Sequence, residues 1–272
     1  MIALLKIAYR FFFKRPINKV KLFVNKNGNK HRCYICGNTF NHFSKYSGGS
    51  KNIPEFRKRL DLVGSDINNF GCPFCDSHDR ERHLFMFFDK IDLWESMPNF
   101  SILHFAPEKH LSKKISNLNP VKYVMADFYP KEQSIEKIDA TKIPYNDNSF
   151  DLVICNHVLE HIPDYILAIN EAFRVLKPSG IAILQTPYSK LLSRNFEDKN
   201  IETDEQRHFF FGEKDHFRIF SEKHFFNDLE QAGFILKILK NSDFFDKKTT
   251  YYYGVNGKED LIQVKKPANK ML

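Results

Sequence analysis

Four cysteines fall into two equal spacings, Cys33-Tyr-Ile-Cys36 and Cys72-Pro-Phe-Cys75, with 35 residues between the pairs. A C-x-x-C step lets two sulfurs converge on one ion, and two such steps supply the four thiolates that Zn²⁺ takes tetrahedrally. Four protein ligands leave no open coordination position, so the chemistry predicted for Cys33, Cys36, Cys72 and Cys75 is a structural zinc site. Spacing alone also admits two pairs of buried thiols or a redox C-x-x-C. His31, His42, His78 and His83 stand close enough in sequence to replace one cysteine. The total of five cysteines is odd and four are clustered in pairs, a pattern unlike a secreted disulfide framework and expected of a cytoplasmic protein. Cys155, inside an apolar run, reads as a core thiol.

A second group of side chains could move protons or hold anions. His157-Val-Leu-Glu-His161 and Asp215-His216-Phe-Arg218 offer histidines as a general base, with Asp215 as an orienting partner. Between His161 as a base and His161 as a helix-packing residue, the apolar surroundings favour packing. Arg207 and Arg218 could clamp a phosphate or carboxylate on an acceptor, or form a solvated ion-pair cluster. The H-x-x-E-H spacing also matches a metal-binding helix pattern, but it sits directly after a strand with no third ligand in view and reads as coincidence.

The elements that must carry these residues alternate. Apolar runs at 101–105, 122–126, 151–155, 181–185, 234–239 and 260–265 read as strands. Helical patterns lie near 109–116, 164–176 and 221–233, and Lys177-Pro-Ser-Gly180 reads as a turn. The fold class is therefore α/β, a doubly wound and mainly parallel sheet. Such sheets bind ligands outside the carboxyl ends of their strands. Asp127, ending the second strand, is placed to accept hydrogen bonds from ribose hydroxyls, and Asp139 could accept one from an adenine amino group. Taken singly, each aspartate also fits a helix cap or loop.

Charge is uneven. The chain carries +8 overall, but residues 1–60 hold 14 Lys and Arg against Glu55 alone, while residues 61–272 carry −5. Residues 1–15 place Lys6, Arg10 and Lys14 as a stripe on an otherwise apolar helix, ended by Pro16. This arm could lie on an anionic membrane face, dock on its own protein, or grip nucleic-acid phosphates. No run of 18 apolar residues is present, so no spanning helix is expected.

The string from Asp139 through Phe150-Asp-Leu-Val-Ile-Cys-Asn156 to Asp164, continued by Glu171-Ala-Phe-Arg-Val-Leu-Lys-Pro-Ser-Gly180, resembles the middle of a class I S-adenosylmethionine-dependent methyltransferase, over roughly residues 100–266. The resemblance implies a Rossmann-like sheet of seven strands with the last antiparallel. It implies cofactor contacts from Asp127, Asp139, Ala140, Asn156 and His157, and from His104, Ala106 and Glu108 on the loop after the first strand. That loop, Leu103-His-Phe-Ala-Pro-Glu108, lacks the family's usual glycines. The same A-P-E loop, both C-x-x-C knuckles, His157–His161 and Arg207–Arg218 together resemble a bacterial zinc-knuckle methyltransferase group often encoded among cell-surface polysaccharide genes. The expected organisation is a basic arm (1–25), a four-cysteine zinc module (26–95) and a methyltransferase domain (96–272). The expected activity is methyl transfer to a small-molecule or glycan acceptor, in the cytoplasm or in peripheral contact with the inner membrane face. The alternatives are an RNA methyltransferase or a non-catalytic binding protein with a degenerate pocket.

Overall fold

A computed structural model describes residues 28–268. The helix expected over the basic arm lies outside the described residues. Seven strands form the main sheet: β1 (Ser101–Phe105), β2 (Lys122–Asp127), β3 (Glu136–Lys137), β4 (Phe150–Asn156), β5 (Leu176–Gln185), β6 (Ile235–Leu239) and β7 (Leu261–Lys265). Their spatial order is β6-β7-β5-β4-β1-β2-β3. β7 runs antiparallel to both of its neighbours, and the other pairings are parallel. β3 is two residues long and both are exposed, so no apolar run announces it in the sequence.

Every residue of β1 is buried because helices cover both faces of the sheet. Leu103, Val153 and Leu184 face α3 (Tyr165–Val175) and α5 (Glu222–Gln231), with α4 (Asp204–Phe211) between these two helices in sequence. Ile102, Leu152 and Ile183 face the other way, onto α1 (Asp79–Lys90) and α2 (Lys109–Asn117). Cys155 lies in the first of these cores, as its apolar context predicts. The segment expected as a turn at 177–180 is the bulged start of β5. Register with β4 shifts between Phe150 and Leu152, and Ser179 takes φ 66° to absorb the extra residues.

The two knuckles are alike in backbone. Cys33 N–H donates to Asn38 and Gly37 N–H to Cys33, while Cys72 N–H donates to Ser77 and Asp76 N–H to Cys72. The residue after the second cysteine is left-handed in both, Gly37 at φ 74° and Asp76 at φ 62°. Gly71 has a different reason for being glycine: a Cβ there would collide with Ser44 Oγ.

α1 joins the knuckles to the sheet. Leu84, Phe85, Met86, Phe87 and Phe88 enter the sheet's core, although the sequence grouped them with the zinc module. Arg82, fully buried, donates to the carbonyls of Asn69, Phe70, Ser77, Tyr253 and Gly254. The first three belong to the knuckle region and the last two to the end of α6 (Lys247–Tyr253). Glu81 reaches α2 and accepts from the backbone N–H groups of His110 at 2.6 Å and Leu111 at 2.9 Å. It thereby caps a helix whose own N-cap, Glu108, makes no side-chain cap bond.

Truncating Arg82 would strand several buried carbonyls at once. Arg82→Ala is expected to cost about 3 kcal/mol or more in urea unfolding, with Arg82→Lys intermediate because one ammonium cannot reach five acceptors.

Candidate functional site

The carboxyl edge of the sheet gathers most of the residues singled out in the sequence. The glycine-free loop after β1 still adopts the conformation glycine favours, with Ala106 at φ 45° and its N–H bonded to Ala126 O at 2.8 Å. His104 and Glu108 brace this loop instead of presenting free groups to a ligand. His104 is fully buried, with Nδ1 2.9 Å from Tyr123 Oη and Nε2 2.9 Å from Glu108 Oε2. Asn156 Nδ2 donates to the other Glu108 oxygen at 2.5 Å. Burial alone would raise the Glu108 carboxyl, but the His104 bond and charge, the Arg80 charge and the Asn156 bond together hold it below the ordinary carboxylate range. The polar atoms of His104, Glu108 and Asn156, expected to contact the cofactor, are bonded to one another as an internal triad.

Asp127 and Asp139 are differently placed. Asp127 Oδ1 accepts from Tyr129 N–H at 2.7 Å, and Asp139 Oδ1 accepts from Thr141 N–H at 2.8 Å and Thr141 Oγ1 at 2.7 Å. Each carboxylate closes a local turn through Oδ1. Ala140, beside Asp139, is buried. Phe128 and Tyr129 follow β2 with 48% and 75% exposure, edge-to-face at 4.7 Å, and add aromatic surface that the strand pattern did not flag.

His157 has both ring nitrogens beside carboxylates. It is left-handed at φ 55° immediately after β4 and buried. Its Nδ1 lies 3.4 Å from Glu160 and its Nε2 3.4 Å from Glu259. Burial opposes the charged ring, yet the two carboxylates prevail and push its pKa up to about 9. The row continues from Glu259 to His83 on α1 at 3.3 Å and then to Asn241 at 2.6 Å. Glu259 stands 102 residues from His157, and nothing local in the sequence pairs them.

Asp215, the expected orienting partner, has Oδ2 3.2 Å from His161 Nδ1. His161 ends a single 3₁₀ turn, Leu159–His161, and its ring meets His216 edge-on at 4.6 Å. Burial lowers the His216 pKa to about 4, so this ring is neutral at pH 7. Glu160, His161 and His216 bring one ligand atom each within 4.8 Å of one another. The expected arginine clamp does not form. Arg218 is buried and bonded to Glu197 at 2.7 Å and to the carbonyls of Ile162 and Pro163 at 2.6 and 2.7 Å, so its donors tie down the turn after β4. Arg207 lies over the Phe217 ring, 4.3 Å from its centroid.

The four knuckle sulfurs converge at the other side of α1. Cys33 and Cys75 Sγ are 3.7 Å apart, and Cys36 and Cys72 Sγ 3.8 Å apart. Tetrahedral coordination with 2.3 Å Zn–S bonds sets this edge at about 3.8 Å, whereas a disulfide would need about 2.05 Å. Elsewhere on the carboxyl edge, Lys190, Lys240, Lys258, Asp61 and Asp260 line a cleft of about 210 Å³.

Residues 103–184 match a family model described as a methyltransferase domain. The demethylmenaquinone methyltransferase of Staphylococcus carnosus (strain TM300) is 49% identical over 45 residues, 16% of this chain and 19% of that one. The same-named protein of Staphylococcus epidermidis (strain ATCC 12228 / FDA PCI 1200) is 43% identical over 58 residues, 20% of this chain and 24% of that one. The chain thus spans about a fifth of the length of the curated relatives it matches. The S-adenosylmethionine-dependent methyltransferase of Mesorhizobium loti superposes with a TM-score of 0.50 at 12% identity, covering 66% of this chain and 98% of that one. The fold is the Rossmann-like methyltransferase fold, with its seven-stranded sheet and antiparallel last strand.

The buried His157 makes stability depend on pH. Its pKa rises from 6.5 to about 9 on folding. Its contribution is therefore complete below 6.5 and is lost as pH climbs through 9. Urea unfolding across that window should show a decline in stability that His157→Gln largely removes.

Proposed function

We propose that this protein transfers a methyl group from S-adenosylmethionine to a small-molecule or glycan acceptor. The observation that carries the reading is the match over residues 103–184 together with Asp127 and Asp139, each closing a local turn through Oδ1 at the carboxyl edge. The bound cofactor supplies an electrophilic methyl on a sulfonium. Asp127 accepts from the ribose hydroxyls, Asp139 from the adenine amino group, and Ala140 with Phe128 and Tyr129 packs on the flat base. The His104–Glu108–Asn156 triad holds the loop in the shape that glycine would otherwise permit. The cleft lined by Lys190, Lys240 and Lys258, whose ammonium groups are paired with Asp260 and Asp61, suits a polar acceptor such as a sugar. The resemblance to the polysaccharide-associated group points the same way.

The cysteine tetrad in this reading holds a structural zinc, and residues 26–95 with the basic arm form the part nearest a membrane or acceptor surface. Among the described residues no helix is long and apolar enough to cross a membrane.

Isothermal titration tests the cofactor: the intact protein should bind S-adenosylmethionine, and Asp127→Ala should weaken it roughly 10- to 100-fold, the worth of a charge-assisted bond pair. No heat from the unaltered protein would sink the reading. Metal analysis should find about one zinc per chain, lost together with thermal stability in Cys36→Ser and Cys75→Ser.

A further inference from the structure

We propose that Glu160, His161 and His216 form a second metal site, distinct from the four cysteines, for a first-row divalent cation with coordination positions left open. The H-x-x-E-H spacing reads as a coincidence when two histidines of one helix are sought as the ligands. In the structure His157 is turned away between two carboxylates, and its place in the set is taken by His216, 55 residues beyond His161. One carboxylate and two imidazoles, each offering an atom within 4.8 Å of the others, are the donor set that holds such ions with sites to spare.

Two of the three ligands, His161 and Glu160, are fixed from behind. Asp215 lies 3.2 Å from His161 Nδ1, which leaves Nε2 as the ligating nitrogen and matches the carboxylate–histidine support common at metal centres. Glu160 is buried and held by Thr186 Oγ1 at 3.2 Å and His157 Nδ1 at 3.4 Å. The two chain segments are locked together. Phe217 N–H donates to Glu160 O at 2.9 Å, and Arg218 binds the carbonyls of Ile162 and Pro163. Arg218 is in this view a positioning residue for the site. The half-buried rings of His161 and His216 give solvent a way in. The open positions suit water or an oxygen donor of an acceptor, because the site stands just beyond β4 and β5 on the ligand-binding edge of the sheet. The metal site stands on its own geometry whether or not methyl transfer is the reaction.

The test uses the untagged full chain with zinc already loaded on the cysteines, titrated with Co²⁺ and followed by visible absorption and metal content. The expected result is one further equivalent of cobalt, with weak d–d bands and no thiolate charge-transfer band. It should be lost in His216→Ala and in Glu160→Gln, with the zinc content unchanged. Should Glu160→Gln fail to fold, as near-UV circular dichroism would reveal, the half-buried His216→Ala decides alone. Saturation at zinc only, or cobalt uptake that survives His216→Ala, overturns the site.

Discussion

Three consecutive side chains of α1 are buried, polar and pointed in three directions. Glu81 caps α2, Arg82 binds the knuckle loops and the end of α6, and His83 meets Glu259. Successive helical residues are about 100° apart, so adjacent positions can serve separate neighbours. Each of the three would be costly to bury alone. Each is therefore satisfied by partners distant in sequence, which fixes the helix in depth and rotation. The five apolar residues that follow can then seat against the sheet in only one way. Arg82 has a further part: its cation lies where four thiolates and one Zn²⁺ would leave an excess of negative charge.

The strands are legible because sheets buried on both faces leave apolar runs bounded by turn residues. The short β3 escapes because it pairs only at an exposed margin. The cysteine tetrad is legible because the knuckle is a local structure whose ligands are three residues apart. The position of Asp127 at a strand end is legible because strand ends are. What fails is the reading of polar residues whose partners come from elsewhere. Arg218 looks like a free cation until Ile162, Pro163 and Glu197 enclose it. The Glu259 carboxylate beside His157 arrives from the far side of the sheet. Asp215 stands next to His216 in sequence and next to His161 in space.

The loop after β1 shows how one conformation can be reached with different residues. Glycine would permit a left-handed turn at little steric cost. Here Ala106 takes that conformation, and its strain is offset by a triad reaching from β1 to β4. The carboxylate of Glu108 cannot at the same time cap its own helix, so the cap comes from Glu81. The loop and α1 therefore depend on each other, and the absence of glycine is not in itself a mark of a degenerate pocket.

The placement of α1 bears on how such a chain could be assembled in evolution. The cysteine-bearing half is not a cassette that could be clipped on or off at residue 95. Its last helix is also a covering layer of the sheet, and its arginine holds the turn that follows α6 near the opposite end of the chain. Fusion with another partner or exchange of this half between relatives would have to carry the helix and its three polar contacts together. Divergence is consequently easier at the lysine-lined cleft and the exposed aromatics than at the junction between the two halves.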